Sequence, residues 1–434
     1  MKKLLLVLIL LVTAGSVFAA DLKVTGDAFV RGTTWGDDST GSTEKYSYFD
    51  YDFNLNLAAM VNENATVNVK LTYDKNVTDA DTKVANGSAS ASDVGLAVER
   101  AFINYKFHPA LQLNTGLMGG GQWASDFANA EVNIPRVQLI GALSADMVFI
   151  ATYEKRSEMG GNIGTTDAEK DDSNVYYLAS RMKFGPVTLL PLLYYGTTGI
   201  NNRGDVTAQL IAGLTPAIGA GAATTLVNAN IKTYDASLMG VQLGLEGDFG
   251  MFGFVFDSRF DKKDMDGFDK DYAKVDAAVG GVLTDLAYAK KDTTTYGAMF
   301  DVFAKIDIVK AGFIYAYASA DVKDGYFDMG ADFNPLIIAN DEVADEFVGR
   351  SIYILYADVT PIEKLTVTAK VGYGAGNDSA DESTFTEYNL SAAWAFDANT
   401  TYSLGYGYAS FDSGVSGADP VVATKLYHKF AVKF

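Results

Sequence analysis

The stretch YDFNLNLAAMVNENATVNVKLTY, residues 51–73, is apolar on every second residue on both sides of a three-residue join. Tyr51, Phe53, Leu55, Leu57 and Ala59 alternate with Asp52, Asn54, Asn56 and Ala58. After Asn62-Glu63-Asn64 the pattern resumes, with Val67, Val69, Leu71 and Tyr73 set against Thr66, Asn68, Lys70 and Thr72. A period of two is the side-chain period of a strand, so this reads as an antiparallel hairpin with one apolar and one polar face. Strands of soluble sandwiches are usually about five or six residues long. Segments of ten or more suit a tilted strand crossing hydrocarbon, where backbone polar groups are satisfied only if the sheet closes on itself. The pattern predicts an all-β fold, a closed antiparallel transmembrane β-barrel.

The same alternation runs outward to both ends. Leu22, Val24, Gly26, Ala28 and Val30 open it, and Leu426, His428, Phe430, Val432 and Phe434 close it. Further short joins fall at His108-Pro109-Ala110, Ser144-Ala145-Asp146, Gly185-Pro186, Gly250-Met251, Asp307-Ile308-Val309, Pro361 to Lys364 and Asp397-Ala398-Asn399, with a weaker one near Gly280-Gly281. Nine short joins alternate with ten long connections, a pattern count of 20 strands within a range of 16–22, even in number. Tyr105, Phe107, Tyr153, Trp394, Phe396 and Tyr402 read as aromatics gathered beside the short turns.

Composition agrees. Met1-Lys2-Lys3, the apolar run Leu4 to Val12 and Val17-Phe18-Ala19 read as a secretory signal cleaved after Ala19, because nine apolar residues are too few for a spanning helix. Residues 20–434 then form the barrel. With no cysteine, disulfides, thiolate chemistry and Cys-based metal sites are excluded. A net charge of −20 with no basic stripe speaks against nucleic acid as a partner.

Signal, strand pattern, loop asymmetry and the terminal strand with Tyr427, His428, Phe430 and Phe434 together resemble the Gram-negative outer-membrane porins. The resemblance covers residues 20–434 and rests on architecture. It implies short periplasmic turns and long extracellular loops, outer-membrane localisation, and a water-filled channel for passive diffusion of small hydrophilic solutes and ions. Its implied partners are outer-membrane lipid, lipopolysaccharide, the barrel-assembly machinery that reads a terminal aromatic such as Phe434, and two further copies in a homotrimer. Two other readings stand beside it: a substrate-selective channel, and a plugged structural or adhesive barrel.

No cofactor is implied, and an enzyme is not expected. His108 reads as a turn residue and His428 as lipid-facing, so neither meets the tempting nucleophile Ser125. Function would reside where the lumen narrows. In general porins the third outer loop folds inward and brings acidic residues toward a basic wall. Here that loop follows Gly119-Gly120-Gly121 and carries Trp123, Asp126 and Glu131 as constriction candidates. Strand parity puts Arg31, Arg100, Lys106, Arg136, Arg181 and Lys183 on the lumen side as the basic wall.

Two other connections stand out. Residues 321–349 hold Asp321, Asp324, Asp328, Asp332, Asp341, Glu342, Asp345 and Glu346 around the apolar run Pro335 to Ala339, and read as a solvated acidic loop, with calcium ligation as the rarer alternative. Residues 197–233 are apolar for a connection, and fit a plug, a latch to a neighbouring barrel or a further hairpin.

Overall fold

The computed structural model describes residues 21–38, 44–75, 96–157, 173–198, 211, 215–216, 219–230, 236–265, 293–321, 325–339, 347–378, 382–415 and 419–434. The first strands are β1 (Asp21–Asp37), β2 (Glu44–Asn62), β3 (Ala65–Lys75), β4 (Ala97–His108), β5 (Leu111–Gly120), β6 (Val132–Ser144), β7 (Met147–Ser157), β8 (Ser173–Phe184) and β9 (Val187–Thr198). A helix, α1 (Ala220–Asn230), precedes β10 (Ala236–Asp248), β11 (Phe252–Met265), β12 (Thr293–Ile306) and β13 (Val309–Ala318). A two-residue pair follows, β14 (Ala320–Asp321) and β15 (Gly325–Tyr326). The chain ends with β16 (Arg350–Ile362), β17 (Leu365–Gly376), β18 (Thr384–Ala395), β19 (Thr400–Asp412) and β20 (Val421–Lys433).

Leaving out the short β14–β15 pair, the strands form one 18-stranded antiparallel sheet. It closes because β1 pairs with β2 on one side and with β20 on the other, Val30 standing opposite both Tyr51 and Phe430. Closure leaves no unpaired edge in the wall. The hairpin read from residues 51–73 forms as β2 and β3, with Leu55 opposite Leu71. The pattern count of 20 is corrected to 18: β11 pairs directly with β12, from Phe252↔Ala304 to Lys263↔Thr293, so no strands stand between them in the wall. The join near Gly280-Gly281 lies outside the described residues, as do residues 1–19.

Antiparallel pairing puts all the short joins at one rim and the longer connections at the other. The joins close with local chemistry: Asn62, Asp248 and Asp397 each accept the backbone N–H two residues on, at 2.8–2.9 Å. The Asn399 N–H bonded to Asp397 holds that carboxyl below its usual range.

The outer face is apolar, with Val137, Leu139, Leu178, Leu193, Val241, Leu355, Leu390 and Leu404 exposed. Aromatics bound it at both rims. Tyrosine pairs lie on the loop side, Tyr51–Tyr73 at 5.8 Å, Tyr153–Tyr176 at 5.3 Å, Tyr296–Tyr317 at 5.8 Å and Tyr315–Tyr353 at 5.0 Å between centroids. Phenylalanines dominate the turn side, in Tyr105–Phe107, Phe249–Phe252 and Phe396–Phe430. Tyr153 therefore belongs to the loop-side girdle rather than to the turns. No described helix is long and apolar enough to cross a membrane.

Candidate constriction in the barrel lumen

Two connections leave the loop rim and meet each other inside the ring. Residues 121–131, between β5 and β6, reach β9, β10 and β11. Residues 327–339, between β15 and β16, reach β17 and β18. Only the interior of a closed sheet connects these walls.

The first segment is fixed by polar anchors. Pro191 has no N–H to give the ladder, and the β8–β9 register skips from Ala179↔Leu192 to Met182↔Leu189. The neighbouring Leu190 carbonyl accepts the Trp123 indole N–H at 3.0 Å. Asp257 on β11, wholly buried, accepts the Ser125 hydroxyl at 2.6 Å, the Ser125 backbone N–H at 3.1 Å and the Gln242 amide at 3.1 Å. Arg259 donates to the Ala128 carbonyl at 2.8 Å and to the Tyr194 hydroxyl at 2.9 Å. Ala124 and Ala128 hold positive φ, 60° and 58°, a conformation an alanine keeps only where its surroundings over-determine it.

The second segment is fixed by a carboxylate and a core. Glu387 of β18, wholly buried, accepts the backbone N–H groups of Ile337, Ile338 and Ala339, each at 2.8 Å. Lys370 donates to the Pro335 carbonyl at 2.6 Å. Leu336 lies over Gly372, where a Cβ would come within 2.6 Å of it. Phe327, Met329, Phe333 and Leu336 pack with Phe347, Ile352, Ile354 and Phe385 in one apolar cluster. Each such large side chain contributes about 1.5–3 kcal/mol when fully buried.

The segments are latched to each other. The Ala128 N–H donates to the Met329 carbonyl at 2.5 Å, and the Asp332 N–H to the Asn129 carbonyl at 3.0 Å. Gln122 donates to the Asp332 carboxylate at 3.0 Å. The Phe127 ring stacks on Phe327 at 5.8 Å and meets Phe333 edge-on at 5.5 Å. Gly330 has φ +87°, and a Cβ there would sit 2.2 Å from the Asn129 carbonyl, so the latch admits only glycine. The result is a bar across the lumen from β9–β11 to β17–β18.

Beside the bar, on the loop side, Trp123, Arg136, Arg156, Tyr194, Gln242 and Arg259 line a cavity of about 110 Å³. Its guanidiniums share two carboxylates. Arg136 and Arg156 both pair with Glu154, which also accepts the Tyr177 hydroxyl at 3.0 Å, and Arg259 pairs with Asp261 at 3.0 Å. Water and charged or dipolar solutes near this wall meet an ordered field rather than bulk solvent.

The same architecture occurs among solved structures. The Pseudomonas aeruginosa outer membrane protein OpdK superposes with a TM-score of 0.53 at 10 % identity, covering 95 % of this chain and 99 % of that one. The fold is that of an outer-membrane barrel. OpdK with vanillate matches equally, with a TM-score of 0.53 at 9 % identity over 95 % of this chain and 99 % of that one. Acinetobacter baumannii OccAB2 gives 0.51 at 13 %, over 95 % and 98 %. No family model and no curated protein matches the chain.

The barrel distributes the candidate residues unevenly. Trp123 is in the bar. Asp126 is exposed at the tip of its segment, and Glu131 bonds Arg100 on the adjoining β4, so it does not face a basic wall across the lumen. Arg31 pairs with Asp50 at 2.5 Å and Arg136 with Glu154, so much of the expected basic wall is charge-matched locally. Lys106, Arg181 and Lys183 are exposed in the turn-side half. Phe434 exchanges backbone hydrogen bonds with Gly26 at 2.7 and 2.9 Å.

Within 321–349, the reading of a solvated acidic loop is corrected, because residues 327–339 turn inward around a buried apolar cluster. Asp324, Asp341, Glu342, Asp345 and Glu346 lie outside the described residues. Residues 199–210, 212–214, 217–218 and 231–233 also do, so the plug, latch and hairpin readings of 197–233 rest on residues outside those described. Sequence reading missed Asp257, Arg259, Gln242 and Glu387. Their signal was parity: in Phe254 to Phe260 the charged Asp257 and Arg259 fall on the face opposite Phe254, Phe256 and Phe260.

Proposed function

We propose that this chain is an outer-membrane porin, a water-filled channel for passive diffusion of small hydrophilic solutes and ions, with the bar of residues 121–131 and 327–339 as its filter. The observation that carries this reading is a closed ring, apolar and girdled outside, whose inner wall is polar and, among the described residues, narrowed by two inward segments. Closure leaves no unpaired strand edge where hydrocarbon offers no partner. The short joins then face the periplasm, the long connections face outward, and residues 1–19 serve as the export signal. That OpdK has been solved with vanillate supports a small solute as cargo for this fold. No catalytic role is assigned: His108 sits in a turn accepting the Ala110 N–H, and His428 packs outward between Phe49 and Tyr402.

Proteoliposomes holding the purified protein should swell in isotonic solutions of small sugars, at rates that fall steeply from a pentose to a trisaccharide. Swelling no faster than that of protein-free liposomes would sink the diffusion reading.

A further inference from the structure

On the turn side of the bar a second cavity, about 490 Å³, lies between residues 334–337 and the wall of β12, β13, β16, β17 and β18. Asp301, Lys310, Asp358, Lys370, Tyr356 and Asn389 line it. Two carboxylates and two ammonium groups thus face one space, and no ion pair among these four is found in the described residues.

Each is held instead by a neutral partner. The Tyr356 hydroxyl donates to Asp301 at 2.9 Å, and the Thr368 hydroxyl to Asp358 at 2.7 Å. Lys370 donates to the Pro335 carbonyl at 2.6 Å, and Lys310 lies over the Phe303 ring at 4.4 Å and the Tyr356 ring at 5.2 Å. The other half of the lumen behaves differently, since Arg31, Arg100, Arg136 and Arg259 are each matched to a carboxylate there. Neutral partners fix a charge in place without cancelling its field, which is what a preorganised polar site requires.

A second observation points to a ligand. Asn389, only 7 % exposed, lines the cavity with both amide atoms unbonded, the Glu387 carboxylate alongside but outside hydrogen-bonding geometry. A buried amide offering one acceptor and two donors is matched by a solute that carries donors and acceptors together.

We infer that this cavity is a binding station for a small zwitterion of the free amino-acid class, its ammonium set toward Asp301 and Asp358 and its carboxylate toward Lys310 and Lys370. The inference rests on the channel reading above and deepens it by naming a solute class. A singly charged solute of the same size leaves one of the two charge sets unanswered, and a neutral one leaves both.

The test uses the full-length barrel in planar bilayers, with L-glutamine, propionate and propylammonium each added to KCl. L-Glutamine should interrupt the current with a half-blocking concentration about tenfold below either singly charged probe. Lys310→Met and Asp358→Asn, neither of which holds the inward segment, should each raise that concentration about tenfold while KCl conductance stays within about twofold of the parent. A conducting barrel blocked no better by L-glutamine than by the single charges, or blocked by L-glutamine as strongly in both variants as in the parent, overturns the station and leaves the channel standing. A folded barrel silent in KCl overturns both.

Discussion

Excising Trp123–Ala130 and bridging the ends with two glycines raises single-channel conductance about threefold and erases discrimination between small solutes. The segment spans from β5–β6 to β9–β11 and carries half of the latch, Ala128 to Met329 and Asn129 to Asp332. Its removal opens the 110 Å³ cavity at Arg136 and Arg259 to the full lumen. The wall survives, because its ladders run between neighbouring strands and none passes through this segment. Planar-bilayer recording checks the result, with heat-modifiable migration confirming the closed barrel. Unchanged conductance would place the narrowest point elsewhere.

Glu387→Leu should release the other half of the bar. One carboxylate accepts three backbone N–H groups, from half-buried Ile337 and from Ile338 and Ala339, which are buried as the carboxylate itself is. Leucine leaves all three donors unsatisfied, at about 1–3 kcal/mol each. Most of that cost is escaped only if residues 327–339 leave the wall. The measurable outcome is an open-channel current that flickers between two or more levels, together with new protease cleavage inside 327–339 in the folded barrel. Glu387→Gln retains one carbonyl acceptor but turns an amide donor toward a backbone donor, so its behaviour falls between those of the parent and Glu387→Leu. A quiet, parent-like channel in Glu387→Leu would show that the carboxylate does not hold the segment.

The barrel was legible because a wall strand has two distinct faces, an apolar outer one and a polar lumenal one, and a period of two records that difference directly. Residues 51–73 show it, and their pairing follows the alternation residue by residue. Where a third layer covers the inner wall, the record fails. In β16, Ile352 and Ile354 face inward as Tyr353 and Leu355 face outward, so the strand reads as continuously apolar. The cause is the cluster around Phe333 and Leu336 that packs over it.

The bar was half legible. Glycines and position marked residues 119–131, but the acidic residues that drew attention are not the ones that fix it. Asp257 anchors Ser125 from 132 residues away, and Glu387 anchors Ile337 from 50 residues away. Such partners leave no local periodicity. What the sequence did contain was their parity, charged residues on the inner face of strands. In a lumen those read as water-facing until a segment is known to lie over them. The apolar run Pro335 to Ala339 was visible within an acidic connection, and its destination depended on a strand beyond the next hairpin.

Planar-bilayer recording of the purified, folded barrel in KCl is the most direct measurement. A channel narrowed by an intact bar gives steps of constant size, well below those of the Trp123–Ala130 deletion. No current from a barrel that is folded and heat-modifiable, with current appearing only once the bar is cut, would instead describe a plugged structural protein.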